Sequence, residues 1–230
     1  MHLNREYGVT LQLCGADQWG NSVAGVDLIR RIDGKEAHVY STPLVMNKAT
    51  GKKFGKSEDG AVWLDEKKTS VFAFYQFWLN ADDEGVADYA KIFTLLSKEQ
   101  IEEMAQQVRD APSERLAQKT LAREVTSLVH GEERALSAER VTSVLFGGGS
   151  VTELSEDDVA VLASEIPVAE TGSSVVDALV AHGAASSNGD ARRLIEGGAV
   201  TVNGQKIDQD MTIHERSLIK KGKNSFILVR

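Results

Sequence analysis

The sequence changes its pattern at about residue 69, and this change most constrains what the chain can fold into. Before it, an apolar run at residues 9–13 is followed by a glycine-containing turn and a predicted helix at 22–32. This order is typical of an α/β unit. A second apolar run follows at 38–46, and after residue 69 only helical patterns succeed one another up to about residue 146. Because one layered sheet does not accommodate both patterns, we expect more than one domain.

The helical stretch ends at Gly147-Gly148-Gly149-Ser150, a turn-forming run. Its helices are predicted at 71–79, 85–96, 98–109, 112–130 and 132–146. Its aromatic residues are expected to be core rather than base-stacking surface: Phe72, Phe74, Tyr75, Phe77 and Trp78. Residues 151–170 carry six acidic side chains and neither lysine nor arginine. We therefore predict an acidic linker, with a short helix at about 157–164.

The last block of the chain is predicted to be a small module of two helices and a sheet. Helices at 175–182 and 188–196 are each stopped by glycine. Asn203-Gly204, between short apolar runs at 199–202 and 205–207, is the strongest hairpin signal in the chain. Residues 226–229 are predicted to close the sheet.

These patterns predict a multidomain chain: α/β, then all-α, then small α+β. The predicted divisions are 1–68, 69–150, the linker 151–172, and 173–230. Residues 9–13 have no earlier element with which to pair, and a lone strand is not stable. The first domain is therefore expected to be truncated.

Composition narrows the class of protein. The chain has no run of about 18 apolar residues and no signal-peptide order at its N-terminus, and Cys14 is its only cysteine. We expect a cytoplasmic protein with no membrane segment and no cysteine-built metal site. The net charge of −8 argues against uniform nucleic-acid binding, but residues 171–230 carry eight basic and six acidic side chains. Only this last block is basic.

Lys53-Phe54-Gly55-Lys56-Ser57 forms a flexible cationic loop suited to a polyphosphate that gains charge during reaction. Its alternative is an ordinary solvated surface turn. None of the five histidines has a sequence spacing that would complete a nucleotide-binding site together with this lysine loop. We therefore expect the histidines to be surface or core residues.

A second candidate site is Gly15-Ala16-Asp17-Gln18-Trp19-Gly20-Asn21, a turn between a strand and a helix. Gly15 lets a planar group or sugar approach the backbone, and Asp17 and Gln18 can hydrogen-bond to ribose or other polar groups. The alternative is that Asp17 and Asn21 cap the following helix while Trp19 fills the core.

Both motifs resemble those of bacterial tyrosyl-tRNA synthetases. Residues 15–21 resemble that family's Gly-Ser-Asp-Gln-Trp-Gly-Asn signature, and 53–57 resemble its variant of the class I "KMSKS" loop. The resemblance continues through other segments and covers essentially the whole chain: 43–45, 74–78, 118–122 and 128–132. It implies part of a Rossmann-like catalytic domain, a helical anticodon-binding domain and a ribosomal-protein-type RNA-binding domain.

The resemblance also implies an activity and roles for residues. Tyrosine would attack the α-phosphorus of Mg²⁺-bound ATP, and the tyrosyl group would pass to tRNA(Tyr). Lys53, Lys56 and Ser57 would stabilise the transition state and the departing pyrophosphate. The adenylate would be bound by Gly15, Asp17, Gln18 and Lys56, and Gln12 would line the tyrosine pocket.

Several parts of the family pattern are missing or altered. Cys14 stands where the family usually has glycine, and Ala16 replaces the commoner serine. The "HIGH" motif, most of the tyrosine pocket and the segment that forms the usual homodimer interface are expected upstream of Met1. We therefore expect the 230-residue chain alone to be catalytically inactive.

The last block resembles a small RNA-binding domain shared with a ribosomal small-subunit protein and pseudouridine synthases, at residues 191–195 and 198–204. Its basic residues are expected to contact phosphates and to recognise structured RNA by shape. They are Arg192, Arg193, Lys206, Lys220, Lys221 and Lys223. The alternative is an ordinary solvated face.

Two other functions remain open at this point. The chain could be a noncatalytic binder of structured RNA, derived from a synthetase, in which case tyrosine and ATP would not bind. A tryptophan-specific synthetase is disfavoured because that family generally lacks the last module.

Overall fold

A computed structural model describes residues 1–48, 51 and 62–230, in two compact units, Met1–Ala61 and Val62–Arg230. The first unit contains α1 (His2–Tyr7), β1 (Leu11–Gly15), α2 (Trp19–Asp33) and β2 (His38–Thr42). β1 and β2 pair in parallel, with Leu11 opposite His38 and Gly15 opposite Thr42. The strands run parallel because α2 crosses between them, which is the connection that a parallel pair requires.

Helix α1, which precedes the first strand, was not predicted. Its six residues are too few to display a helical period. Gly8 ends it with a left-handed φ of 68°. Arg5 donates two hydrogen bonds to the carboxylate of Asp33, at 2.7 and 2.8 Å, which ties α1 to the end of α2.

The second unit begins with a helical core. Its helices are α3 (Val71–Leu79), α4 (Val86–Phe93), α5 (Lys98–Asp110), α6 (Leu116–His130), α7 (Glu132–Phe146) and α8 (Glu156–Glu165). The expectation that the aromatic run is core holds, since Phe72, Phe74, Tyr75 and Trp78 are buried. Every helix among the described residues is too short or too polar to cross a lipid bilayer.

The helix predicted at 112–130 is interrupted. Pro112–Glu114 forms a separate 3₁₀ turn, and Arg115 adopts a left-handed φ of 53° before α6 begins. The guanidinium of Arg115 donates to the carbonyl oxygen of Leu79 at 2.7 Å. This contact between α3 and the turn holds a conformation that non-glycine residues seldom adopt.

The acidic segment differs from the predicted linker because it packs against the helices. Ser155 caps α8, and Asp158 in its first turn is only 1% exposed. Arg140 of α7 donates two hydrogen bonds to the Asp158 carboxylate, at 2.8 and 3.0 Å. The sequence shows a run of acids but not the arginine that pairs with one of them.

The C-terminal module has a five-stranded sheet and two helices. Its elements are β3 (Val168–Ala169), α9 (Val175–Ala181), α10 (Asn188–Glu196), β4 (Val200–Val202), β5 (Gln205–Lys206), β6 (Ser217–Lys221) and β7 (Ser225–Val229). The strand order is β3-β7-β6-β4-β5, parallel between β3 and β7 and antiparallel elsewhere. The central strand β6 and the short β3 were not predicted.

Candidate nucleotide and RNA sites

Gly15 lies at the carboxyl end of β1, where the backbone is closely surrounded. A Cβ atom at this position would lie 2.9 Å from Asp17 Oδ1 and 3.2 Å from Leu44 Cδ2. The first distance is shorter than real Cβ contacts, so the Asp17 carboxylate would have to move if residue 15 carried a side chain. In parallel α/β sheets, ligands bind beyond the carboxyl ends of strands, which is where Gly15 lies.

Asp17 and Gln18 follow in a 3₁₀ turn and are exposed. Gln18 precedes α2, but its side chain makes no cap hydrogen bond. Instead, its Oε1 accepts a hydrogen bond from Asn21 Nδ2 at 3.1 Å. Trp19 is 52% exposed and does not fill the core. The alternative in which Trp19 fills the core is therefore wrong, and the polar side chains of this turn are exposed.

The Cys14 side chain points towards α2. Ser22 of α2 donates a hydrogen bond to the Cys14 sulfur at 3.5 Å, and Ser22 is buried. The thiol therefore lies between β1 and α2. Its presence in place of glycine fills this interface, and neighbouring Ala16 is exposed.

Of the predicted tyrosine-binding and catalytic residues, only Gln12 lies within the described chain. Gln12 is exposed on β1 and lines a cavity of about 580 Å³ beside that strand. Lys53, Lys56 and Ser57 lie outside the described residues.

The two arginines predicted to bind RNA lie on α10 and are exposed. Arg193 is 3.7 Å from the Asp190 carboxylate, one turn earlier. The pKa of Asp190 is lowered chiefly by hydrogen bonds from the Ser186 backbone and hydroxyl, with smaller contributions from Arg193 and Lys221. Lys221 is therefore near Asp190 in the first turn of α10, whereas Arg193 lies in its last turn.

The four lysines of the predicted RNA site do not form one patch. Lys206 runs beside Gly198, just after α10. Lys220 and Lys221 are consecutive on β6 and point to opposite sides of the sheet. The Lys220 ammonium lies 5.2 Å from the centre of the Phe226 ring, whereas Lys221 donates to the carbonyl oxygen of Ala184 at 2.5 Å. Lys223 is exposed in the following turn.

A larger cavity, about 690 Å³, lies among the helices of the second unit. Its lining includes Tyr75, Arg115, Lys119 and Phe146, together with Asn224 of the C-terminal module. Burial raises the pKa of the Tyr75 hydroxyl. The sequence did not predict this cavity, because its lining comes from segments far apart in the chain.

The described histidines do not form a metal site. Among the residues placed by the structure, no three His, Cys, Asp or Glu side chains cluster in a way that holds a metal ion. His130 packs edge-on against Phe74, with ring centres 4.9 Å apart, and burial lowers its pKa. It is a half-buried histidine that packs against the helical core.

Comparison with known proteins agrees with the motifs at both ends of the chain. Residues 3–147 match the family model described as tRNA synthetases class I (W and Y). Residues 158–230 match the model described as the tyrosine–tRNA ligase SYY-like C-terminal domain.

Curated relatives align along the whole chain. A tyrosine–tRNA ligase of Roseiflexus castenholzii is 44% identical over 100% of this chain and 57% of its own length. One from Streptococcus gordonii is 44% identical over 99% of this chain and 57% of its own length. A C-terminally truncated mitochondrial tyrosyl-tRNA synthetase of Coccidioides posadasii aligns at 31% identity and a TM-score of 0.47, over 56% of this chain and 38% of that one. The chain thus spans little more than half the length of its curated relatives.

Proposed function

Because the chain belongs to the class I tRNA synthetase (W and Y) family, we propose that it forms part of a tyrosine–tRNA ligase. The whole enzyme would activate tyrosine with ATP and transfer it to tRNA(Tyr). The observation that carries the choice of tyrosine over tryptophan is the match of residues 158–230 to a tyrosine–tRNA ligase C-terminal domain.

The turn after β1 would bind the adenylate. Gly15 would allow the ribose to lie against the backbone, because it carries no side chain that would separate the two. Asp17 and Gln18 are exposed beside it and would contact the adenylate by hydrogen bonds. Gln12, on the same strand, would line the tyrosine pocket.

Lys53, Lys56 and Ser57 would act on the phosphates of ATP. As the tyrosine carboxylate attacks the α-phosphorus and pyrophosphate leaves, negative charge builds up that two ammonium groups and a hydroxyl can stabilise. Contacts made mainly in the transition state raise the rate, and closure of a loop over bound ATP would supply them. Mg²⁺ would enter with ATP as part of the substrate.

The second unit would bind tRNA(Tyr). The helical domain would receive the anticodon arm, and residues 173–230 would form a ribosomal-protein-type RNA-binding domain. Arg192 and Arg193 are exposed on one helix and would contact phosphates, as would Lys206, Lys220 and Lys223. Lys221 would contribute less, because it is already bonded to Ala184. The whole enzyme would be a cytoplasmic homodimer.

Filter binding of the purified chain to transcripts of tRNA(Tyr) and tRNA(Trp) tests this proposal. We expect tighter binding of tRNA(Tyr) at equal salt concentration, and equal binding of both would contradict it. In a second assay, tyrosine-dependent pyrophosphate exchange by the chain alone should stay at background. Exchange at synthetase-like rates would show that the 230 residues suffice for activation.

A noncatalytic role on structured RNA is the second candidate. It is favoured by the C-terminal module, which has a buried apolar core of its own. Equilibrium dialysis with tyrosine and ATP distinguishes the two functions, because only a ligase-derived site that still operates would retain both ligands.

A further inference from the structure

The sheet of the C-terminal module is buried on two faces, and only one of them belongs to the module's own core. Ile219, Ile227 and Val229 lie in the apolar cluster that α9 and α10 share. Because side chains alternate along a strand, the residues between these three point to the opposite face. That second face carries four side chains that pair across β6 and β7: Leu218 with Leu228, and Lys220 with Phe226.

The end of the helical core covers this second face. Leu218, Phe226 and Leu228 are only 8, 6 and 0% exposed. The ring of Phe146, the last residue of α7, meets the ring of Phe226 edge-on, with centres 5.5 Å apart. Leu218 also lines a cavity of about 180 Å³ together with Val151, in the 3₁₀ turn that follows α7. The sheet therefore packs against the helical core as well as against its own helices.

Helix α8 joins the same two parts through acidic residues of its first turn. Asp158 accepts hydrogen bonds from Arg140 of α7, in the helical core. Glu156 forms an ion pair with Arg216, which directly precedes β6 of the module. The Arg216 guanidinium also donates to the carbonyl oxygen of Leu154 at 3.0 Å. Two acids of one helix turn thus bind arginines that belong to different parts of the second unit.

We propose that these contacts form a clamp that fixes the orientation of the C-terminal module on the helical core before any RNA binds. The clamp consists of the Phe146–Phe226 contact and the bridge from Arg216 to α8. It would hold α10, on the other face of the sheet, at one position relative to the helical core. RNA would then meet a preformed surface, without the entropic cost of ordering a tethered module. This consequence for RNA rests on the proposed function, whereas the clamp itself does not.

The clamp can be opened without damage to either core, because its contacts lie at the edge of the interface. Phe146 is 55% exposed, and the side chain of Glu156 is 82% exposed. Substitutions at exposed positions usually change the free energy of unfolding little. Phe146→Ala combined with Arg216→Gln removes the ring contact and the bridge, and leaves the module's own apolar cluster intact. We call this pair of substitutions the open variant.

Distances between two spin labels test the clamp directly. One label is attached at Glu103→Cys on α5 and the other at Gln209→Cys, before β6, in a Cys14→Ser background. Both labelled positions are exposed. Pulsed electron double resonance on the purified chain should give one narrow distance distribution. In the open variant the distribution should become at least about twofold wider, because a module without a firm interface moves relative to its neighbour.

Leu128→Ala combined with Arg123→Gln is the matched control, since it removes an exposed leucine and an exposed arginine from α6. It should leave the distribution narrow. Circular dichroism establishes that each variant is folded. Glu156→Gln changes a single exposed side chain, should also widen the distribution, and decides the question if the open variant unfolds. A wide distribution in the parent chain, or equal widths in the parent and Glu156→Gln, would overturn the proposal.

The effect on RNA has a sign that charge alone does not predict. Removing an acid from an RNA-binding protein reduces its repulsion of phosphates and should strengthen binding. The clamp instead predicts that Glu156→Gln weakens binding of tRNA(Tyr) about threefold, since an exposed ion pair contributes this much at most moderate strength. Asp157→Asn, at the next exposed acid of the same turn, is the control and should not weaken binding. Unchanged or tighter binding by Glu156→Gln would contradict the preformed surface.

The label distances are measured without RNA, so their outcome is independent of the proposed function. If the distances respond as expected but the chain binds tRNA(Tyr) and tRNA(Trp) equally, the proposed function fails while the clamp stands. If the chain prefers tRNA(Tyr) but its label distances are widely distributed, only the clamp fails.

Discussion

The two compact units differ in how fully each buries its own apolar surface. In the described part of Met1–Ala61, Ile29 is the only buried large apolar residue, beside the polar Asn4 and Ser22. In Val62–Arg230, the helices enclose an aromatic core and the C-terminal module encloses a second apolar cluster. Since burial of apolar surface is the main force that stabilises a fold, the second unit can be stable by itself. The parallel sheet of the first unit is covered on one side only by the residues that the structure describes.

The largest effect should come from equivalent truncations in the two sheets. Ile219, in the central strand of the C-terminal module, is 0% exposed, whereas Leu13 is mostly exposed. We expect Ile219→Ala to lower the free energy of unfolding by about 2–5 kcal/mol, and Leu13→Ala to change it by less than about 0.5 kcal/mol. Denaturant unfolding followed by circular dichroism measures both. Equal effects would contradict the contrast between the units.

The ion pair between Asp158 and Arg140 should give the second unit a specific sensitivity to acid. Burial by itself would raise the pKa of Asp158, but hydrogen bonds, chiefly from Arg140, outweigh it and lower the pKa to about 2. The ordinary value is 3.8. A depressed pKa stabilises the fold at pH values above the unfolded-state pKa, and this stabilisation is lost as pH falls through the folded-state value. It should be complete above about pH 5 and amount to about 2 kcal/mol.

Asp158→Asn tests this source of stability. At neutral pH the free energy of unfolding of the variant should be about 2 kcal/mol lower than that of the parent chain. This difference should shrink between pH 4 and pH 2. Unfolding measured at a series of pH values provides the comparison. A difference that stays constant with pH would show that packing, rather than charge, holds α8 against α7.

Two glycine substitutions should separate crowding from flexibility in the first unit. Gly15→Ala introduces a Cβ within 2.9 Å of Asp17, whereas a Cβ at Gly25, inside α2, meets nothing within 4 Å. We expect Gly15→Ala to destabilise by about 1 kcal/mol, and Gly25→Ala to stabilise by about 0.5–1 kcal/mol because alanine favours helix. Hydrogen exchange of the peptides covering residues 9–33 would show whether each variant is destabilised or stabilised.

The smallest effect should appear in RNA binding by the second unit. Arg192→Gln removes one exposed cation and should reduce the slope of log affinity against log salt by about one. Lys35→Gln, at an exposed lysine of the first unit, is the control and should leave the slope unchanged. Titration of tRNA(Tyr) at several salt concentrations measures this slope for each variant. An equal loss in both variants would contradict a localised RNA surface.

The elements that the sequence predicted well are those with local signals. The structure has α10 at Asn188–Glu196, the predicted bounds, with the Ser187 side chain as its cap. Asn203 and Gly204 have φ values of 51° and 80°, the positive values that the predicted hairpin turn requires. Caps and turns depend on residues within a few positions of each other, so their pattern is visible in the chain.

The elements that were missed depend on distant partners. In the sequence, the residues of β6 are only a short apolar run followed by two lysines. They form a central strand because β4 and β7 pair with it on either side. The acidic segment was predicted as a linker because Arg140, which pairs with Asp158, comes from a separate helix. The predicted domain boundaries and catalytic roles stay predictions.

The sequence by itself determined the family, through the Asp17-Gln18 turn, the lysine loop and the basic last block. Only the tertiary structure decided where individual side chains point. It placed Cys14 against α2, separated Lys220 from Lys221 across a sheet, and left Leu13 uncovered. The physical reason is that motifs record which groups are available within a short stretch. Burial and direction, in contrast, depend on packing between segments that are far apart in the chain.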